Sequence, residues 1–274
     1  MAIFLSAASN PTEAESPMKL EIPKNHPRYL SLTLRERIFE GYERKVVAGA
    51  GMIAHGRGEA YDYLLGEATP PFAARAVRAA AAAILLAKHP VISVNGNVAA
   101  LCPEELVALS RESGAPLEVN LFYRTEEREH AVAAALSDAG AGQVLGVGAD
   151  ASGVIPELGS ERRRVDPRGI EQADLVFVPL EDGDRTEALV RMGKTVLTVD
   201  LNPLSRTSQR ATITIVDNVV RVLPALTEAL LLLRGQSADD LEALLKGFDN
   251  QQALSESLLF IAERLHSLAD LSRK

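Results

Sequence analysis

Short apolar runs rich in valine, isoleucine and threonine recur along the chain, separated by segments whose apolar residues return every three or four positions. Val91–Val94, Leu117–Phe122, Val144–Val147, Leu175–Val178, Thr195–Val199 and Thr212–Val216 read as strands. Pro103–Ser113 reads as a helix with acidic residues in its first turn and Gly114 at its end, and Thr125–Ala139 as one capped by Thr125. Strands that alternate with helices predict βαβ units, and right-handed crossovers then place helices on both faces of a parallel sheet. The expected fold is therefore α/β, a three-layer parallel sheet of about six strands with helical N- and C-terminal elaborations.

Upstream, Ile22–Tyr29 reads as extended because residues before proline leave the α region. A helix pattern starts at Ser31, with Leu34, Ile38, Tyr42 and Val46 on one face, and an alanine-rich helix runs from Pro70 to His89. Between them, Ala54–Glu59 predicts a loop with Arg57 flanked by glycines, followed by a short helix from Glu59 to Leu65 that ends at Gly66. Residues 160–168, charged and without period, predict an exposed loop. Helices are expected over Val219–Leu233, Ala238–Phe248 and Ala253–Leu271. The expected division is a disordered tail over 1–17 and one α/β unit over 18–274. That unit comprises a helical part over 18–89, a sheet core over 90–217 and terminal helices over 218–274.

Composition narrows the function. At 47% hydrophobic, 24% charged and a net charge of −8, the chain has ordinary globular usage and no footprint for nucleic acid. Local arginines must meet any anionic ligand. The single cysteine, Cys102, excludes a disulfide framework and reads as a small buried hydrophobe. No apolar run is long enough for a membrane span, and the first ten residues lack a basic n-region, so a cytoplasmic location is expected.

Three nucleotide signatures fail on inspection. Gly51-x4-Gly56-Arg57-Gly58 has arginine for the P-loop lysine and follows a helix, and Ala188-x4-Gly193-Lys194-Thr195 lacks the first glycine. Gly146-Val147-Gly148-Ala149-Asp150-Ala151 follows a strand but opens no helix, which argues against a nicotinamide dehydrogenase. Arg57 itself remains, since a guanidinium between glycines can approach phosphate closely. Two adjacent strands end in Asp200-Leu201-Asn202 and Asp217-Asn218, with Arg206 between them, at the edge where open parallel sheets bind ligands. Asp182, Asp184, Arg185 and Thr186 leave the fourth strand as a group able to hold magnesium and an anion, although no metal ligand is assigned. Asn95, Gly96 and Asn97 close the first strand. Asn120, Tyr123 and Arg124 close the second, offering amide, phenol and guanidinium groups. His55 and His130 are candidate acid–base groups.

The blocks PKNHPRYLSL, GMIAHGRGEAYDYLLGE, HPVISVNGNVAAL, EVNLFYRTEER, VPLEDGDRTEALVRMGKTV and TVDLNPLSR with ATITIVDN resemble the archaeal phosphopantothenate synthetase family, also called 4-phosphopantoate–β-alanine ligase. The resemblance runs from about Ile22 into the C-terminal helices. It implies a Rossmann-like, homodimeric ligase of coenzyme A biosynthesis. Such an enzyme would join 4-phosphopantoate to β-alanine at the expense of ATP, with Mg2+, releasing AMP and diphosphate through an acyl-adenylate. On matching positions it implies nucleotide contacts at Arg35, Arg57, Asp200, Leu201, Asn202, Arg206, Thr207, Asn218 and Val219. In that reading Arg57, Asp182, Asp184 and His130 serve catalysis. Asn95, Gly96, Asn97, Asn120, Tyr123, Arg124, Arg185 and Thr186 bind the two acids. A nucleotide-binding regulator without turnover is the competing class.

Overall fold

The computed structural model describes residues 22–271, so the tail expected over 1–17 lies outside the described residues. Helices α1 (Tyr29–Glu43), α2 (Gly49–Leu65) and α3 (Pro71–Leu86) precede strand β1 (Pro90–Val94). Next come α4 (Gly96–Leu101), α5 (Pro103–Ser113), β2 (Leu117–Val119), α6 (Glu126–Asp138) and β3 (Val144–Leu145). The short strands β4 (Gly153–Val154) and β5 (Arg164–Val165) pair antiparallel with each other, away from the main sheet. The chain then runs through β6 (Leu175–Phe177), α7 (Gly183–Arg191), β7 (Thr195–Val199), α8 (Arg206–Arg210) and β8 (Ile213–Ile215). Helices α9 (Val219–Leu233), α10 (Ala238–Lys246) and α11 (Asn250–Leu271) follow.

The main sheet has six strands in the order β3-β2-β1-β6-β7-β8, and every pairing is parallel. Counted among themselves, these strands follow the order 3-2-1-4-5-6 of dinucleotide-binding folds, so the connections reverse direction between β1 and β6. Side chains alternate across the sheet. Ile92, Val94, Phe177, Leu197 and Val199 join the larger core cluster with residues of α3, α5 and α9. Val91, Val176, Val178 and Val196 face the other way and pack against Ile155, Leu158, Val165 and Ile170. Both faces are covered, which is why the strands read as near-continuous apolar runs.

That second face corrects the exposed-loop expectation for residues 160–168. The segment carrying β4 and β5 supplies much of the cover, with Ala188 and Leu189 of α7 completing it. The apolar residues that matter lie at 155, 158, 165 and 170, a spacing without helix or strand period, so pattern reading missed them. A second correction concerns the predicted glycine loop around Arg57: it is the middle of α2, one continuous helix over Gly49–Leu65. Each interior glycine costs a helix about 1 kcal/mol relative to alanine. Tertiary fit offsets it at Gly51, where a Cβ would lie 2.2 Å from Asn97 Oδ1 and whose carbonyl accepts from Asn97 Nδ2 at 2.8 Å. The predicted end at Gly66 holds, in the left-handed conformation (φ 91°). Strand ends are trimmed relative to expectation: β2 stops at Val119, β3 at Leu145, β6 at Phe177 and β8 at Ile215.

The connection into β6 is tied to β2 by a buried carboxylate. Glu118 accepts from the backbone N–H of Asp166 (2.9 Å) and of Ile170 (2.6 Å) and is fully enclosed. Burial pushes its pKa up to about 7, against the pull of those two N–H groups. A carboxyl raised in the folded state contributes stability below its unfolded value that is lost as pH rises through about 7. Glu118→Gln removes this titration. Between pH 4.5 and 8 the stability of the native chain should therefore fall relative to the variant by about 3 kcal/mol. Urea unfolding at several pH values reads this directly, and parallel pH dependences in the two proteins would contradict it.

Candidate active site

A cleft of about 300 Å³ opens at the carboxyl edge of the sheet, at the reversal between β1 and β6. One wall is α2, contributing Gly51, Ala54, His55, Arg57, Gly58, Glu59 and Asp62. The facing wall is built from the segments that leave the strands: Asn95–Asn97, Leu121–Tyr123, Leu180–Asp182, Leu201 and Asn218–Val219. This is where irregular backbone and polar groups gather in open parallel sheets.

Asn95 staples the reversal together. Its Oδ1 accepts from the N–H groups of Asn97 (3.0 Å) and Val98 (3.2 Å), capping α4. Its Nδ2 donates to the carbonyls of Pro179 (2.9 Å) and Leu180 (3.1 Å) beyond β6. Gly96 is glycine because a Cβ there would lie 2.1 Å from the Val46 carbonyl. The loop expected at 95–97 is thus an N-cap and the start of a helix.

Below the cleft lies a charge knot. Glu181 accepts from Arg162 and Arg185, and Arg185 Nη1 also donates to Ser93 Oγ at 3.0 Å. Asp182 caps α7 by accepting from the Arg185 N–H at 2.9 Å, while its Oδ2 lies 3.1 Å from Arg162 Nε, out of line for a hydrogen bond. Burial works against ionisation of Glu181, but Arg162 and Arg185 outweigh it and hold the carboxyl below its usual range. Asp182 is pushed up, first by burial and then by the Glu181 charge. Nothing about Arg162 in the sequence singled it out: it stood in a segment without period, and its partners are far away along the chain.

On the α2 wall, Arg35 donates to Glu59 at 2.8 Å and the Tyr63 hydroxyl donates to the same carboxylate. Asp62 accepts from Asn218 Nδ2 at 2.7 Å and from Arg221, which also holds Asp217. Arg57 is exposed in the cleft and makes no hydrogen bond or ion pair among the described residues. Burial raises the Asp200 carboxyl above its ordinary value, against hydrogen bonds from Ser205, the Asn202 N–H and Ser208 and, last, the charge of Arg57.

Of the residues expected in the site, Arg57, Asn95, Gly96, Asn97, Tyr123, Asp182, Leu201, Asn218 and Val219 line the cleft. Arg35 acts behind it through Glu59. Asp200 and Asn202 stand beside it in a turn, where Asp200 accepts from the Asn202 N–H at 2.9 Å, and Thr207, in α8, donates through Oγ1 to the Glu181 carbonyl at 2.9 Å. Arg206 turns away to Asp184 (2.6 Å) and Glu187 (2.8 Å), satisfied by two carboxylates of α7, so neither Arg206 nor Asp184 lines the cleft.

The remaining expectations are corrected by internal bonding. Asn120 is fully buried and donates to the carbonyls of Arg162 and Arg164, both at 3.1 Å. Arg124 is enclosed between Glu129, the Arg164 carbonyl and the Gly146 carbonyl. Arg185 and Thr186 are buried, Thr186 donating to the Asp182 carbonyl at 2.9 Å. His130 is exposed on α6, 3.8 Å from Glu126, and lines no part of the cleft. None of these side chains lines the cleft.

No group of three or more metal-ligating side chains able to hold an ion occurs among the described residues. The acidic cluster expected to bind magnesium is largely engaged by Arg162, Arg185 and Arg206, and Asp182 Oδ2 is a buried oxygen of that cluster without a hydrogen bond among the described residues. Magnesium commonly binds through one or two carboxylates and substrate phosphates, so any such ion would enter with a nucleotide. Cys102 is buried as expected, and among the described residues no helix is long and apolar enough to cross a membrane.

A family described as phosphopantothenate/pantothenate synthetase matches residues 72–264. The chain is 53% identical over 251 residues to the 4-phosphopantoate–β-alanine ligase of Thermococcus onnurineus, covering 92% of this chain and 96% of that protein. It is 54% identical over 252 residues to the ligase of the same name from Thermococcus kodakarensis, with the same coverage of both. Against the ligase of that name from Methanosarcina mazei it is 50% identical over 249 residues, or 91% of this chain and 97% of the relative.

Asn95→Ala should lower unfolding stability by about 2–4 kcal/mol, because it removes a helix cap and leaves the Pro179 and Leu180 carbonyls without their donor. A loss under about 0.5 kcal/mol in urea unfolding would show that the reversal is held by something else.

Proposed function

We infer the activity from two facts that meet at one place: the chain belongs to the phosphopantothenate/pantothenate synthetase family, and its cleft lies at the carboxyl-edge reversal beside Arg57, which makes no hydrogen bond or ion pair among the described residues. The protein is a 4-phosphopantoate–β-alanine ligase that forms 4′-phosphopantothenate for coenzyme A biosynthesis, with ATP as its energy-supplying substrate. The observation that carries this reading is Arg57 on α2 opposite the sheet edge: with no hydrogen bond or ion pair among the described residues, it can meet a phosphate without first giving up a partner.

The chemistry asks for neutralised charge and fixed reactants. The phosphopantoate carboxylate attacks the α-phosphorus of ATP, the bond to the β-phosphate bridge breaks, and diphosphate leaves with the electron pair. The amine of β-alanine then attacks the acyl carbon, and AMP departs. Both steps bring anions together, so cations held in place lower the barriers more than any side-chain nucleophile would. Arg57 meets the triphosphate. Asn218 and Val219, at the start of α9, and Leu201 after β7 border the nucleotide, with Asp200 and Asn202 shaping the turn beneath. Arg206 reaches a phosphate by giving up Asp184 and Glu187. Asn97, Tyr123 and Asp182 face the two acids, and Arg162 and Arg128 add positive charge to the same walls. Magnesium arrives as the ATP complex.

Leu258 and Leu265, seven positions apart on one face of α11 and exposed, support a homodimer, since apolar positions at helical spacing on a terminal helix favour a second apolar surface.

Incubation with ATP, 4-phosphopantoate and β-alanine should release AMP and diphosphate in step with product, and each acid should be required. ADP and inorganic phosphate would refute the adenylate route, and ATP binding without β-alanine-dependent turnover would favour a regulator. Arg57→Ala should raise KM for ATP and lower kcat/KM about 10²-fold, from loss of a charge-assisted contact of about 2–3 kcal/mol.

A further inference from the structure

The ligase reading leaves one proton without an acceptor. β-Alanine arrives as an ammonium, sheds one proton to solvent, and carries a positive charge again once its nitrogen has joined the acyl carbon. That second proton must go to some group in the cleft as the amide forms.

We propose that His55 Nε2 takes this proton, making His55 the general base of amide formation. His55, on α2 two residues from Arg57, lines the cleft. Its Nε2 is buried and makes no hydrogen bond among the described residues. Unpaired buried polar atoms are costly, and one that faces a ligand cleft is expected to find its partner in the ligand. The competing acceptors are largely occupied. Glu59 is held by Arg35 and Tyr63, Asp62 by Asn218 and Arg221, and Glu181 by Arg162 and Arg185. Two rivals remain: Glu67, exposed beyond the end of α2, and Asp182, with Oδ2 free of hydrogen bonds but facing the Arg162 cation. An anion so placed is suited to hold the ammonium end of β-alanine.

The charged neighbours of His55 are Glu59, one turn further along α2, and Arg35, which reaches across from α1; Arg57, Arg128, Arg162 and Asp182 share the cleft. Burial lowers the imidazole pKa below its ordinary 6.5, helped by Arg35 and opposed by Glu59. At neutral pH the ring is therefore uncharged, and with its proton on Nδ1 it presents a lone pair at Nε2. In the step itself the C–N bond forms, the bond from the acyl carbon to the AMP oxygen breaks with its electrons going to AMP, and one N–H proton passes to Nε2. The imidazolium then returns that proton to water.

The inference rests on the ligase reading, and partial reactions separate the two. In wild type, exchange of labelled diphosphate into ATP that requires phosphopantoate but no β-alanine reports adenylate formation. His55→Gln should keep this exchange while β-alanine-dependent turnover falls about 10²- to 10⁴-fold. Hydroxylamine, a strong nucleophile that needs little base assistance, should trap the acyl group equally well in both proteins.

The wild-type pH profile is a second readout that needs no variant. Below pH 6.5 the decline of kcat/KM for β-alanine should steepen beyond that caused by protonation of the amine itself, and His55→Gln should lack this steepening. Full turnover in the variant, loss of exchange and turnover in parallel, or a steepening removed by Asp182→Asn and retained by His55→Gln would overturn the assignment. Wild-type turnover without exchange would reject the adenylate and leave the His55 comparison readable. Absence of any β-alanine-dependent turnover would overturn both.

Discussion

The site depends on one buried carboxylate. Glu181 leaves the end of β6 at the reversal of the sheet and binds Arg185 from the helix that follows and Arg162 from the segment covering the opposite face. With Asp182 beside them, two guanidinium groups and two carboxylates neutralise one another in a space with little water. Removing one partner from such a set leaves an uncompensated buried charge, at a cost of about 3–5 kcal/mol. The arrangement ties together three elements that share no local sequence: the sheet edge, α7 and the chain carrying β4 and β5. Asn95 and Asn120 extend the same logic with neutral amides, each donating to carbonyls on neighbouring segments. The cleft floor is fixed before any ligand enters.

Above that floor the two walls differ in character. The sheet-edge wall presents capped helix starts, whose N–H groups are partly taken by Asn95, Asp182 and Asn218. The α2 wall presents Arg57, without a partner among the described residues, and His55, whose pKa burial lowers. A helix is a stiffer mount than the loop anticipated for this stretch. Close approach to Asn97 explains Gly51, whereas a Cβ at Gly56 or Gly58 would have room. A cation on a stiff element suits a reaction limited by charge and position.

Much of the fold was legible in the chain itself. Strand runs, turn residues and caps follow local rules, so the α/β class, the six parallel strands and the ends at Gly66 and Gly114 were correct. That a cleft would open at the carboxyl edge was also legible, because Asn95, Leu201 and Asn218, which line it, each close a strand that the pattern had identified. What stayed hidden was long-range. Arg162 and its neighbours carry no period, yet they cover a sheet face that the alternation of strands leaves apolar. Arg124, Asn120 and Arg185 look like ligand groups by type and position, but backbone carbonyls and carboxylates distant in sequence consume them. Arg206 shows the same limit, since its carboxylate partners on α7 lie about twenty positions away.

The account stands on the placement of reactants at the reversal between β1 and β6. A crystal structure with a non-hydrolysable ATP analogue and 4-phosphopantoate tests this most directly. Phosphate oxygens should lie about 3 Å from the Arg57 guanidinium, with the substrate carboxylate between α2 and the Asn95–Asn97 segment. A nucleotide bound elsewhere, such as the groove between α3, α10 and α11 beside Arg75 and Arg78, with the carboxyl-edge cleft empty, would contradict it.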